Sequence, residues 1–91
     1  MPVHVSGHLI CKNNNEAELV RLYLPQHRAL TQAEPGCLLF EVEETDDPLI
    51  WRVSESFMDQ KALEAHQARL LHSIWGEKTR NIAREYDVIR T

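Results

Sequence analysis

Apolar residues along this chain switch between a period of two and a period near four. Val3, Val5, Gly7, Leu9 and Cys11 alternate with His4, Ser6, His8, Ile10 and Lys12, which predicts a strand over residues 3–12 with one apolar face. Asn13, Asn14 and Asn15 then form a turn and supply an N-cap, with Glu16 and Glu18 placed favourably in the first turn of a helix. That helix runs to about Ala33 on an apolar stripe of Leu19, Val20, Tyr23 and Leu30, and Pro25 inside it predicts a kink or a second segment. Pro35 cannot continue a helix, and Gly36 offers the positive φ that reverses the chain.

Leu38, Phe40 and Val42 next alternate as one face of a strand over 37–44. A partner strand over 49–58 follows the loop Thr45-Asp46-Asp47-Pro48. Matching apolar faces pairs Val42 with Trp51 and Phe40 with Val53, and sets Glu41 opposite Arg52. Asp59 caps a second helix with the stripe Ala62, Leu63, His66, Leu70 and Ile74. Gly76 interrupts it, and the stripe resumes in a new phase as Trp75, Thr79, Ile82 and Tyr86, predicting a short additional helix. Tyr86 to Arg90 reads as the last strand.

The order is βαββαβ, the split βαβ of ferredoxin-like α+β folds, over a single domain of residues 1–91. Right-handed crossovers place both helices on one face of a four-stranded antiparallel sheet of order 4-1-3-2. The other face carries Ile10, Leu39, Ile50 and Met58 among His4, His8 and Arg52, too apolar to stay wet, so a homodimer through it is expected. The net charge of −4 with scattered acids supplies no basic stripe for nucleic acid or an anionic membrane surface. No apolar run has transmembrane length, and residues 1–6 lack the regions of a signal peptide, so a cytoplasmic location is expected. Cys11 and Cys37 are then expected as free thiols on strands separated by a third.

Three polar residues stand where apolar ones belong. His27 and His66 lie on the buried stripes of the two helices, and Glu55 shares its strand face with Trp51, Val53 and Phe57. Both helices cover one sheet face, so these groups should meet in one space, where a carboxylate needs a partner or keeps its proton. A histidine beside it would be held in one tautomer and made more basic. The plain alternative is a pair of core histidines bonded to backbone carbonyls. Trp51 and Trp75 are candidate walls of an aromatic pocket, with core packing as their plain reading. Arg69 and Ser73, at i+3 and i+7 from His66, are candidates for a pocket mouth, though a solvated helix flank explains Arg69 as well.

Other chemistries lack residues. His4 and His8 stand ~13 Å apart along a strand, too far to share a metal. No Cys-x-x-Cys, His-x-x-x-His or carboxylate cluster supplies a metal cage, and the glycines form no phosphate loop. No nucleophile elbow, flavin fingerprint or nicotinamide fingerprint is present.

The turn-strand "AEPGCLxFEV" at 33–42, the strand "VxExF" at 53–57 and the "AH" at 65–66 follow each other at a spacing that resembles the antibiotic biosynthesis monooxygenase family, which includes quinol monooxygenases. The resemblance implies a dimeric α/β barrel of two face-packed sheets. It also implies oxidation of a small quinol or polyphenol by O₂ without a cofactor. A base removes a phenolic proton, and the electron-rich anion itself reduces O₂. His66 is the first candidate for that base and His27 the second, with Glu55 orienting. Haem-degrading members carry a first-strand asparagine and a late-helix histidine; this chain has Ser6 and His8, and Trp75 and Gly76, at the corresponding places. Two alternatives use the same fold: a non-enzymatic dimeric small-molecule binder, and an isomerase or lyase of a small hydroxyketone.

Overall fold

The computed structural model describes residues 1–90; Thr91, the last residue of the expected domain, lies outside them. Four strands, β1 (Val3–Ile10), β2 (Cys37–Glu44), β3 (Ile50–Phe57) and β4 (Ala83–Arg90), form one antiparallel sheet of order β2-β3-β1-β4. Helices α1 (Asn14–Gln32), α2 (Gln60–Leu70) and α3 (Ile74–Lys78) complete the βαββαβ order, with a broken second helix. The fold is ferredoxin-like α+β. Among the described residues, no helix is long and apolar enough to cross a membrane.

The local chemistry of α1 explains both its start and a buried carboxylate. The Asn13 side chain accepts from the Glu16 amide, while Glu16 Oε1 accepts from the Lys12 amide at 2.8 Å, two free helix-end donors satisfied reciprocally. The helix runs through Pro25 as one element, because that residue sits on the exposed face, where water can reach the carbonyl it leaves unbonded. Its buried line is Ala17, Val20, Leu24, His27 and Thr31. Leu30, expected on the stripe, is exposed; 100° per residue carries it away from the line through His27 and Thr31. The second helix breaks at residues 71–73, ahead of Gly76, because Ser73 caps a new helix: its hydroxyl accepts from the Gly76 amide and donates to the Leu70 carbonyl. Ile74 is consequently exposed, whereas Trp75, Thr79 and Ile82 are buried as the second phase predicted.

The β2–β3 register differs from the expected one by two residues. Val42 faces Val53 and Phe40 faces Glu55, so Arg52 stands opposite Glu43 instead of Glu41. The cause is the loop. The Thr45 hydroxyl donates toward the Asp47 and Ile50 carbonyls and accepts from the Asp47 amide, and Asp47 Oδ1 accepts from the Leu49 amide, which holds a loop longer than the expected Thr45–Pro48 and pairs Glu44 with Trp51. A bulge between Cys37 and Leu39 turns Leu38 out of the inner face into solvent. Gly36 does not adopt a positive φ; a side chain there would collide with Ala62 of α2, with a Cβ only 2.3 Å from the Ala62 Cβ, so its role is close approach.

The inner sheet face is apolar along β1, β2 and β3, built on Val3, Val5, Leu9, Phe40, Val53 and Phe57. Every residue of β4 is exposed. Cys11 and Cys37 are unpaired thiols, and burial pushes both above the usual thiol range.

Gly7 is the one glycine with a left-handed backbone, at φ 156°, and a Cβ on it would lie 1.9 Å from the Glu85 carbonyl oxygen of β4. Gly7→Ala should therefore loosen the β1–β4 seam, at a cost of ~1–3 kcal/mol in a denaturant titration. Wild-type stability in that variant would show that β4 contributes little to the fold.

Candidate functional site

His27, Glu55, His66 and Trp75 line one cavity of about 110 Å³ between the helices and the sheet. The other walls are mainly apolar, including Leu9, Phe40 and Leu63, and the β4 side is formed by Arg84, Tyr86 and Val88. Each polar member arrives through the phase of its element. His27 is on the buried line of α1, His66 follows Leu63 by three residues on α2, and Glu55 continues the inner face of β3.

His66 is fixed from behind. Its Nδ1 donates to Glu34 Oε1 at 2.9 Å, and its Nε2 lies 3.8 Å from Glu55 Oε1. The second oxygen of Glu34 accepts from Arg69 Nε, and Arg69 Nη2 donates to the Thr31 hydroxyl at 2.9 Å. Glu34 ends α1's turn, so a single carboxylate joins the close of α1, the entry to β2 and the outer side of α2. Burial lowers the affinity of His66 for a proton, Glu34 opposes that through its charge and hydrogen bond, and Arg69 adds to the lowering. The net direction is down. The ring is thus a neutral imidazole near neutral pH, protonated on Nδ1, with Nε2 as its basic atom.

His27 is different. Its ring stacks on Trp75 at 4.6 Å and 2°, meets the Phe40 ring edge-on at 5.1 Å and lies 5.9 Å from His66. Burial, then the neighbouring His66, Arg69 and Arg84, push it down to about 3. Its Nδ1 has no hydrogen-bond partner among the described residues. A group so reluctant to take a proton is a poor base, and a neutral ring packed on an indole is a good wall. Glu55 moves the other way: burial, with the nearby Glu34 charge, raises it to about 7 against the lowering effect of Arg84. Tyr86 is more than a third exposed as a residue, but burial around its hydroxyl, at the cavity, pushes that group up to about 12.

Three residues expected at the site lie elsewhere. Trp51 is packed in the core near Leu24 and Val42, away from this cavity, because its strand position falls four residues before Glu55. Arg69 faces Glu34 and Thr31 on the outer side of α2. Ser73 is spent on capping α3. The sequence reading missed Glu34, Arg84 and Tyr86. Glu34 stood within the quoted turn, but nothing in its spacing pointed toward His66, 32 residues on. Arg84 precedes the expected last strand, and only β4's longer extent turns it inward.

Helices over one face of an antiparallel sheet, enclosing a cavity with a carboxylate-anchored imidazole, define a ferredoxin-like α+β protein. The chain belongs to the antibiotic biosynthesis monooxygenase family, whose model matches residues 2–76. Solved structures share its fold. Rv0793 from Mycobacterium tuberculosis superposes with a TM-score of 0.79 at 19% identity, covering 100% of this chain and 95% of its own. PA3566 from Pseudomonas aeruginosa gives 0.76 at 20% identity, covering 99% and 93%. A conserved protein from Methanosarcina mazei gives 0.73 at 19%, covering 99% and 92%. No curated protein matches the sequence.

The buried pair Glu55 and His27 makes opposite contributions to stability. The fold favours the proton on Glu55, so stability falls as pH rises from the ordinary carboxylate value of 4.5 to about 7. The fold disfavours the proton on His27, so stability falls as pH drops from 6.5 toward about 3. The two oppose each other between pH 4.5 and 6.5. Glu55→Gln should therefore steepen the rise of stability with pH in that interval, by up to ~1.4 kcal/mol per pH unit, and His27→Gln should flatten or invert it. Denaturant unfolding at stepped pH reads both slopes; identical slopes in parent and variants would mean neither group is perturbed by folding.

Proposed function

We propose that this protein is a monooxygenase that oxidises a small quinol or polyphenol with O₂ through a substrate anion, without a cofactor. The observation that carries the reading is the Glu34–His66 bond, which presents Nε2 as a base at an apolar cavity. His66 Nε2 takes a phenolic proton, and Glu34 stabilises the imidazolium as it forms. The anion passes one electron to O₂, and the radical pair combines to a ring peroxide. Loss of water leaves one oxygen atom on the ring: a quinol and O₂ give a hydroxyquinone and water. Glu55, holding a proton near neutral pH, donates toward the forming peroxide or phenolate oxygen and so orients the substrate. His27 and Trp75 serve as the flat wall on which the ring stacks.

The protein acts as a cytoplasmic homodimer in this reading, packed through the outer sheet face. Leu39 and Ile89 are exposed there, with Ile10 and Ile50 half-buried and Arg52 exposed among them. Sedimentation at micromolar concentration should give a species of twice the chain mass; a stable monomer would remove the dimer from the proposal.

The enzymatic test is O₂ uptake with one-ring quinols, corrected for autoxidation, with ¹⁸O₂ to follow the incorporated atom. His66→Ala should lower the rate by ~10²–10⁴-fold. Glu34→Gln should lower it less and leave substrate binding intact. Label retained from water alone, or an equal rate without O₂, would replace this reading with the isomerase or lyase. Binding without turnover would replace it with the non-enzymatic binder.

A further inference from the structure

The cavity is lined by two chemically different groups of residues. His66 of α2 and Glu55 of β3 are groups that exchange a proton. The β4 side supplies Arg84 and Tyr86. Arg84 is exposed on its outer side but its guanidinium is fixed: Nη1 donates to the Thr79 and Ile82 carbonyls at 2.9 and 3.0 Å, and Nη2 to the Thr79 hydroxyl at 2.8 Å. Those bonds use three of five N–H donors, and the guanidinium is close enough to Tyr86 to act on its hydroxyl. Two donors and the positive charge remain.

The charge balance of the cavity follows. His27 is neutral, His66 is neutral, Tyr86 keeps its proton and Glu55 holds its own up to about pH 7. Glu34 and Arg69 pair with each other behind α2. Among the described lining residues, Arg84 is thus the one that is charged below about pH 7, beside apolar walls. The volume sets the size: about 110 Å³ is below the ~150 Å³ engineered cavity that accepts benzene. One ring fits if the open β4 side takes its substituent, and two fused rings do not.

We propose that Arg84, with Tyr86, is the specificity-determining anchor of this cavity. Its ligand is then a single-ring phenol carrying a second, anionic oxygen group at the opposite end, the phenol facing His66 and the anion held at Arg84. The inference deepens the reading of the cavity as the substrate site, and it is tested by binding alone, so it stands or falls apart from any turnover.

The probes are 4-hydroxybenzoate, its uncharged methyl ester, and 6-hydroxy-2-naphthoate, titrated anaerobically by calorimetry or by NMR shifts of the full chain at pH 6, where Glu55 keeps its proton and the probe acids are ionised. The proposal expects 4-hydroxybenzoate to bind at least tenfold tighter than the ester and than the naphthoate. Arg84→Gln should erase the acid's advantage while the ester's affinity stays within twofold, which also shows that the cavity survives the loss of the Thr79 brace. Should Arg84→Gln fail to fold, Tyr86→Phe provides the second reading: it should weaken the acid about threefold or more and leave the ester unchanged. Equal affinity for acid and ester, equal loss of both in Arg84→Gln, naphthoate binding as tight as the benzoate, or no binding of any probe would overturn the proposal. Binding as expected without O₂ uptake would leave the anchor in place and remove the monooxygenase.

Discussion

The bond between Glu34 and His66 organises more of this molecule than any other polar contact. It joins residues from opposite ends of the β2–β3 hairpin, and Arg69 and Thr31 extend it to the last turn of α1. A carboxylate with little solvent would be costly here if it stood alone. It does not stand alone, because each oxygen accepts from a different donor on α2. Without that charge, Arg69 would face a neutral ring across an apolar gap and Thr31, fully buried, would lose the guanidinium that it bonds. The same contact decides which nitrogen of His66 is free, so the packing of α2 and the tautomer of His66 rest on one interaction.

From this follows the unusual ionic state of the interior. Four groups that titrate in water line a space of about 110 Å³, and packing pushes each toward its uncharged form. The apolar walls are the cause, and they have a chemical consequence. A neutral interior is cheap to fold but offers a large gain to a charge that appears inside it next to a prepared partner. His66 has such a partner in Glu34, and an anion near β4 has one in Arg84. His27 has none, with Trp75 against its face and Phe40 at its edge, which is a physical ground for ranking it behind His66.

The elements were legible because hydrophobic period and punctuation agree along most of the chain. The alternation in β1 and the Asn13, Asp59 and Ser73 caps are local facts, and local facts survive folding. The meeting of His27, His66 and Glu55 was legible for the same reason: helical phase and strand phase each point a side chain without knowledge of its neighbours. What failed depended on distance. The β2–β3 register was set by side-chain bonds of Thr45 and Asp47 that widen the loop, and face-matching alone finds the pairing two residues away. Trp51 was drawn toward the cavity by sharing a face with Glu55, although a twisted strand carries residues four apart to separate parts of the core. Glu34 was hidden because its partner is remote, and its turn had already been explained by Pro35 and Gly36.

The family model covers one part of the cavity lining and not the other. Glu34, Glu55, His66, His27 and Trp75 all fall inside residues 2–76, the segment the family model matches. Arg84, Tyr86 and Val88 lie beyond it, on β4, an edge strand whose residues are all exposed. That edge is tied to the helical layer by polar bonds, Arg84 to Thr79 and Ile82 and Arg90 to Gln60, whereas the residues around His66 are held by three packed elements at once. Fold likeness is therefore silent on the chemistry of the cavity and on its ligand, which must be argued from His66, Glu34, Arg84 and their neighbours in this chain.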